Sequence, residues 1–274
     1  DPRVIGAIVP MTGRARQIGQ HVSRGLMLAS GSEVVGPPDS DAPQLVLRDD
    51  GGDPARAAQA VEDLVSEQRA IAIIGPLEGQ AARLAAQRAQ ELGVPLIALV
   101  PDPSVTDPGA MVFRLVPSPR DEALALVRAA TARGATRFAI LRPDNGYGRA
   151  MQEAFTAAAR EAGGEVVADE HYEAGATSFG TIISTLAAAS FDALFVPDNG
   201  RQLNLVAPAL AAAGLWSTRA GQSAPRGGRG IALLAPSVAI DPRILRSSRY
   251  FQGALFASWF HAPTASGSGR AFAD

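Results

Sequence analysis

Two hydrophobic patterns alternate along this chain: continuous apolar runs, and apolar residues at helical spacing. Both are clearest over residues 71–100. Continuous apolar runs at residues 71–74 and 94–97 predict two buried strands. Between these runs, apolar residues recur at helical spacing: Ala81, Ala85, Ala89 and Leu92. They predict a helix with one buried stripe, and Gly93 is typical of a helix end. The stretch therefore predicts a β-α-β unit with parallel strands and a right-handed crossover.

The same alternation extends through most of the chain and predicts an α/β fold with mostly parallel sheets. Further strands are predicted at residues 4–9, 45–47, 113–116, 138–141, 166–169, 193–196 and 231–234. Further helices are predicted at residues 17–29, 119 to about 133, and 151–161. Two more helices have predicted N-caps: one begins at Pro54 after an Asp53 cap, and one runs from a Thr177 or Ser178 cap to residue 189. A last helix contains Pro208, which should kink it. Gly-rich and Pro-rich segments at residues 31–43, 101–108 and 217–230 predict irregular loops.

Five predicted loops follow the carboxyl ends of strands and precede helices, at residues 11–13, 75–80, 100–102, 144–148 and 197–200. Open α/β sheets bind ligands at this edge, where helix N-termini present free amides and a partial positive charge. The candidate ligand contacts are therefore Thr12, Gly13, Leu77, Glu78, Gly79, Gln80, Leu99, Val100, Asp102, Tyr147, Asp198 and Asn199. The competing interpretation is that these loops are only connections, because tight strand-to-helix turns need glycine in any case.

Composition and charge exclude several classes of function. With 274 residues, 47% of them hydrophobic, the chain can form one large α/β domain or two lobes, and its net charge of −2 gives no electrostatic reason to bind nucleic acid. The chain contains neither Lys nor Cys, which excludes Walker-type phosphate loops, Schiff-base enzymes and thiolate nucleophiles. His21, His171 and His261 have no second ligand at metal spacing. We expect a protein without enzymatic activity, cofactor or metal. Asp49 and Asp50, followed by two glycines, are interpreted as a turn.

Several segments in order resemble one family. They are VIGAIVPMTGRARQIGQHVSRGLMLA, LVLRDDGGDPARAAQAVEDLV, IIGP with GVPLI, FRLVPS, FAILRPDNGYGRAMQEAF and ASFDALFVPDNG. As an ordered set they are similar to the type I periplasmic solute-binding proteins of the branched-chain amino acid group. The resemblance implies two doubly wound lobes, a small-molecule ligand held between them, an ABC permease as partner and a periplasmic location.

The same resemblance predicts how the chain is divided. Residues 1–116 would form the N-terminal lobe and residues 117–249 the C-terminal lobe. Residues 250–274 would cross back to the first lobe, whose last layers the chain is expected to lack. No signal peptide or apolar run long enough to span a bilayer occurs in the sequence, so an exported protein would be present here in mature or trimmed form.

The resemblance also bears on ligand choice. Members of the family commonly hold amino acids with hydroxyl groups in the loops after the third and fourth strands and with a tyrosine in the first loop of the second lobe. Tyr147 matches that tyrosine, but residues 79–81 and 98–102 read GQA and ALVPD where the family often has serine and threonine. An amino-acid head group would lack partners there. Ordinary branched-chain amino acids are therefore expected to bind weakly.

An alternative resemblance points to a different function. The segments LNLVAPALAAAGL and SVAIDPRILRSSRYFQGALFASWF are similar to the penicillin-binding protein activators, lipoproteins that use this fold to regulate peptidoglycan synthases. Under that interpretation the partner is a peptidoglycan synthase, and the protein meets the membrane only through a lipid anchor outside this chain.

Overall fold

A computed structural model describes residues 3–31, 43–219, 222–241 and 249–258. Backbone contacts divide the chain into two compact units, Asp1–Ser118 and Pro119–Asp274. Within the described ranges, no helix combines the length and the apolar character needed to cross a membrane.

The first unit is built on one parallel sheet. Its elements are β1 (Val4–Val9), α1 (Arg16–Ala29), β2 (Gln44–Asp49), α2 (Pro54–Ser66), β3 (Ala72–Ile74), α3 (Gly79–Leu92), β4 (Leu96–Ala98), a 3₁₀ turn (Pro103–Thr106) and β5 (Val112–Arg114). The strand order is β2-β1-β3-β4-β5, and each neighbouring pair is parallel. The β-α-β unit predicted from residues 71–100 is present, and Gly93 ends its helix in the left-handed conformation as expected.

The core of this unit lies between the sheet and helices α2 and α3. A single row across the sheet joins Gly6, Ile73, Leu96 and Val112, all of them buried. Alanine fills the facing side of α3 at positions 81, 82, 85, 86 and 89. Because alanine has the shortest apolar side chain, the helix can approach the sheet closely. Helix α2 begins as predicted, since the Asp53 carboxylate accepts the Arg56 amide at 2.8 Å and Pro54 takes the first helical position.

The second unit contains a second parallel sheet. Its elements are α4 (Pro119–Thr131), β6 (Arg137–Pro143), α5 (Gly146–Glu161), β7 (Glu165–Tyr172), α6 (Gly180–Ala187), β8 (Ala193–Phe195), α7 (Gly200–Ala212), β9 (Leu215–Ser217), β10 (Arg229–Ala235) and β11 (Leu255–Phe256), with 3₁₀ turns at Pro225–Gly227, Ser237–Ala239 and Arg249–Phe251. The order is β11-β10-β8-β6-β7, and β9 also pairs with β10. Strand β8, which corresponds to the strand predicted at residues 193–196, is the central strand of this order.

Helices cover both faces of this sheet. Alternate residues along β6 enter different cores: Phe138 and Ile140 pack with α4 and α5, whereas Ala139 and Leu141 pack with α6 and α7. The predicted α/β class, with mostly parallel sheets flanked by helices, is therefore confirmed. Pro208 lies inside α7, as predicted.

Two predicted helix starts are wrong. Helix α5 begins at Gly146 rather than Met151, because the Asn145 side chain caps it by accepting the Gly148 amide at 2.8 Å. Helix α6 has Phe179 at its N-cap without a side-chain hydrogen bond, so neither Thr177 nor Ser178 is the cap. The irregular segment predicted at 101–108 also contains a 3₁₀ turn.

Some predictions concern residues outside the described ranges. The predicted loop at residues 31–43 is described only at its two ends, and residues 259–274 lie outside the described part. The described residues just before them form β11, which pairs with β10. The return of the chain to the first lobe stays a prediction, and so do the lobe boundaries.

Candidate functional site

In the first unit, one carboxylate joins the loops that follow β1 and β2. The backbone amides of Met11, Thr12 and Gly51 donate to Asp49 Oδ1 at 2.8, 3.2 and 2.9 Å, and the Thr12 hydroxyl donates to Oδ2 at 2.7 Å. Burial opposes ionisation of Asp49, but these hydrogen bonds outweigh it and lower its pKa. Gly13 lies beside the same turn with a φ of 77°, and a Cβ there would approach the Gly51 carbonyl to 2.8 Å. Thr12 and Gly13 are therefore held in place by Asp49 and its turn.

The next residue, Asp50, has the opposite environment. Its side chain is fully buried, and neither carboxylate oxygen has a hydrogen-bond partner among the described residues. Burial raises its pKa, and the nearby carboxylates of Asp49 and Glu78 raise it further. The amides of Gly52 and of Asp50 itself oppose this rise without reaching hydrogen-bond geometry. The predicted turn is confirmed, since the Asp53 amide donates to the Asp50 carbonyl at 2.9 Å.

These two carboxylates should affect stability with opposite signs. The lowered pKa of Asp49 stabilises the fold above its ordinary value of 3.8, and that contribution is lost as pH falls through the folded pKa. The raised pKa of Asp50 costs stability as pH rises from its ordinary 3.8 through the folded pKa. We expect Asp49→Asn to lower the free energy of unfolding by about 1.5–3 kcal/mol at pH 7. Asp50→Asn should raise it at pH 7.

Urea unfolding from pH 3 to pH 8 measures both effects. The Asp49→Asn loss should shrink at the acid end, and the Asp50→Asn gain should disappear there. Curves for the two variants that run parallel to wild type across the whole range would contradict the assignment.

The loops after β3 and β4 are tied to each other through the backbone. The Leu99 amide donates to the Pro76 carbonyl at 3.1 Å. Leu77 and Leu99 are half-buried beside this link. Val100 is 1% exposed and belongs to the first core, so we remove it from the candidate ligand contacts.

Helix α3 starts in the loop after β3 and carries three of the candidates. Glu78 occupies the N-cap without a side-chain cap bond, and its carboxylate lies against Gly52, where a Cβ would come within 2.9 Å of both oxygens. Gly79 and Gln80 are the first two residues of the helix, and Gln80 is exposed. This loop therefore presents one carboxylate and one amide side chain near the β2 turn.

Asp102 has its own structural task. Its Oδ1 accepts the Ser104 hydroxyl at 2.8 Å and the Ser104 amide at 3.0 Å, which caps the 3₁₀ turn. These two bonds lower its pKa, and Arg83, 3.4 Å from Oδ2, and Arg114 lower it further. The carboxylate is thus largely satisfied within its own loop, and its direct contact with a ligand stays a prediction.

In the second unit, Tyr147 occupies the first turn of α5 rather than a loop tip. It keeps 40% of its surface exposed, so its ring is available to a ligand. Partial burial raises the pKa of the phenol, and the carboxylates of Glu122 and Asp198 raise it further. The phenol is therefore neutral at physiological pH and can donate a hydrogen bond.

Asp198 and Asn199 lie after the carboxyl end of β8. The buried Tyr172 hydroxyl donates to Asp198 Oδ2 at 2.7 Å, while the Asn199 amide and side chain donate to Oδ1 at 2.7 and 2.8 Å. The Asn199 side chain also caps α7 by accepting the Gln202 amide at 3.1 Å. Burial and the bond to Asp198 raise the pKa of Tyr172.

Tyr147, Asp198 and Asn199, with Tyr172, Glu122 and Ser237, are called the strand-end cluster of the second unit below. The last three residues were not among the sequence candidates. The Glu122 carboxylate accepts the Ser237 hydroxyl and, at 3.2 Å, its amide, which joins the first turn of α4 to the loop after β10. Tyr172 ends strand β7, next to the end of β6. The predicted strand, residues 166–169, ended before Tyr172, and no local pattern pairs Glu122 with Ser237.

Each unit thus gathers polar side chains and helix N-termini at the carboxyl ends of its parallel strands, the edge where α/β folds bind ligands. Comparison with known proteins gives these features a context. A family model described as periplasmic binding protein matches residues 2–273. The chain belongs to that family. The polar side chains at the strand ends of this periplasmic binding protein lie at the edge of each sheet where the sequence predicts ligand loops.

Solved structures agree with this assignment. The periplasmic binding protein resembles a putative branched-chain amino acid ABC transporter protein from Rhodospirillum rubrum, with a TM-score of 0.77 and 18% identity over 98% of this chain and 74% of that one. The substrate-binding protein LivJ from Streptococcus pneumoniae, in complex with isoleucine, matches with a TM-score of 0.64 and 20% identity, covering 99% and 75%. A solute-binding protein from Rhodopseudomonas palustris, in complex with 3,4-dihydroxybenzoic acid, matches with a TM-score of 0.63 and 20% identity, covering 99% and 72%.

At these identities the similarity establishes the fold. The predicted resemblance to type I periplasmic solute-binding proteins of the branched-chain amino acid group is thereby confirmed. No curated protein matches the sequence of this periplasmic binding protein.

Proposed function

We propose that this protein is a non-enzymatic periplasmic component that captures a small polar or amphipathic solute for an ABC importer. The observation that carries the proposal is the position of Tyr147, which lies on the first turn of α5 at the strand ends of a periplasmic-binding-protein fold and keeps 40% of its surface exposed. A neutral, partly exposed phenol can contact a solute by its ring and by hydrogen bonds. The first unit presents candidate ligand loops of its own, after β1, β3 and β4.

The solute is expected to differ from leucine, isoleucine and valine. Residues 79–81 and 98–100 carry no hydroxyl group, so an α-amino acid head group would find few side-chain partners in these loops. Contacts would come instead from Leu77, Leu99 and backbone amides, together with the polar side chains of Glu78 and Gln80. The isoleucine and dihydroxybenzoate complexes of similar proteins show that the fold accepts solutes of different chemistry.

Calorimetry with the three branched-chain amino acids and with a broader metabolite set tests this proposal. We expect no tight binding of the amino acids, and we expect a solute from the wider set whose affinity falls at least about tenfold in Tyr147→Ala, the loss of an aromatic contact and a hydrogen bond. Phe113→Ala serves as the control, because Phe113 is a comparably exposed aromatic on the edge strand β5.

Tight leucine binding by the wild type would contradict the specificity. A solute whose affinity is the same in wild type and Tyr147→Ala would contradict the role of Tyr147.

A second candidate function is regulation of a peptidoglycan synthase through protein contacts, in the manner of the penicillin-binding protein activators. It is favoured by Pro208 inside helix α7, within the segment that carries that resemblance. Under this alternative no metabolite would bind, and the protein would instead change the activity of a purified synthase.

A further inference from the structure

The second unit contains a cavity at the opposite edge of its sheet from Tyr147. It lies where strands β6, β8 and β10 begin and has a volume of about 660 Å³. Cavities of about 300–1,000 Å³ are the usual size for small-molecule sites in proteins. The proposed solute function makes no use of this edge.

The side chains around the cavity carry an excess of positive charge. Arg133, Arg219 and Arg229 line it, and the one carboxylate among the described lining residues is Asp192. That carboxylate is already engaged, since its Oδ2 accepts the backbone amides of Thr136 and Arg137, each at 2.9 Å. The wall therefore has a formal charge of about +2 (three guanidinium groups and one carboxylate) facing the same space.

None of the three guanidinium groups forms an ion pair with a carboxylate among the described residues. In the part of the chain that the structure describes, Arg133 and Arg219 form neither an ion pair nor a side-chain hydrogen bond. Both also line an adjoining cavity of about 520 Å³. Arginine is the side chain best suited to hold planar or tetrahedral oxyanions, because its donors form a rigid fork.

Arg229 shows that charge in this wall is incompletely compensated. Its guanidinium lies 4.6 Å from the centre of the Phe191 ring, and Nη1 donates to the Ala189 carbonyl at 2.9 Å. Its Nε and Nη2 are buried and have no hydrogen-bond partner among the described residues. A cation that is partly removed from water without a counter-charge is destabilising, and an anion in the adjacent cavity would relieve that cost.

We propose that this cavity binds a small multivalent oxyanion, with Arg133 and Arg219 as the direct ligands and the half-buried Arg229 as a further positive charge in the same wall. Thr218 and Ser223, which also line the cavity, offer hydroxyl donors to the same ligand. The ligand carries phosphate or carboxylate groups and reaches the protein independently of the solute at the strand ends.

Titration calorimetry with inorganic pyrophosphate and with citrate tests the proposal and distinguishes the two oxyanion types. We expect saturable binding of at least one probe that weakens as salt is added, because the interaction is between charges. Arg133→Gln and Arg219→Gln should each weaken binding by about tenfold or more. Arg128→Gln is the matched control, since Arg128 is an exposed arginine of α4 outside the cavity wall, and it should change the affinity less than about twofold.

Three outcomes would overturn the proposal. They are the absence of binding by both probes at millimolar concentration, an equal loss in Arg128→Gln, and a loss of oxyanion binding in Tyr147→Ala, which would place the anion at the strand-end cluster. Because Arg133 and Arg219 are exposed, their variants are expected to fold, and circular dichroism confirms this before titration.

Discussion

Gly75→Ala is expected to unfold the first unit of the protein. Gly75 has a φ of 101°, and a Cβ built there would lie 2.0 Å from the Ile8 carbonyl oxygen, on strand β1. Neither atom can move away easily, because the Gly75 amide is held to the Ile97 carbonyl at 2.9 Å and Ile8 is buried in the sheet. Strain and clash together should cost more than about 4 kcal/mol, which is a large part of the stability of a domain.

Two other glycines of the same β-α-β unit separate the effect of the steric clash from that of the backbone conformation. Gly93 also has a positive φ, 67°, but a Cβ added to it would meet no atom within 4 Å, so Gly93→Ala should cost only about 1–2 kcal/mol. Gly79 has open space and no positive φ, so Gly79→Ala should be neutral or stabilise by up to about 1 kcal/mol. Chemical unfolding of the three variants measures these differences, and Gly75→Ala with the same stability as Gly93→Ala would refute the clash.

Elements with a strong local pattern could be predicted from the sequence. The β-α-β unit, the Asp53 cap with Pro54 and the Gly93 helix end all depend on residues close together in the chain, and all are confirmed. Parallel strands were recognisable because burial on both faces makes them continuously apolar. Periodicity and capping therefore predict these elements and the α/β class, whereas the two-lobed fold was implied by the resemblance to a known family.

The position of Tyr147 could not be predicted in the same way. The sequence Asn145-Gly146 is typical of a turn, and two glycines around Tyr147 favour a loop. The structure instead uses Asn145 as a helix cap, so Tyr147 lies on a rigid first turn. Asparagine is favoured at both positions, and only the tertiary contacts of the following helix decide between them.

Contacts between residues far apart in the sequence could not be predicted either. The Asp49 hydrogen bonds to Met11 and Thr12 cross 38 and 37 residues, and the Glu122 contact to Ser237 crosses 115. No local periodicity records such pairs. Burial of short segments is equally hidden, so Val100 looked like a loop residue of the site although its side chain belongs to the core.

Phe155→Ala is expected to destabilise the second unit by about 3–5 kcal/mol. Phe155 is fully buried, its ring stacks on Phe195 with centroids 4.3 Å apart, and it meets the ring of Phe138 edge to face at 5.6 Å. Removing it leaves a cavity between α5 and the central strands, which the neighbouring aromatic rings cannot fill by small movements. Leu205→Ala on α7 is the control, since Leu205 is 39% exposed and should cost less than about 1 kcal/mol.

Hydrogen exchange measured peptide by peptide shows which unit loses stability in Phe155→Ala. If the chain folds as two units divided near residue 118, amides of β6 and β8 should lose protection while those of β1 and β3 keep theirs. Gly75→Ala should give the reverse pattern, because Gly75 contacts β1 in the first unit. Equal loss of protection in both sheets for either variant would mean that the two units unfold as one cooperative body. The predicted lobes would then not be independent units of folding.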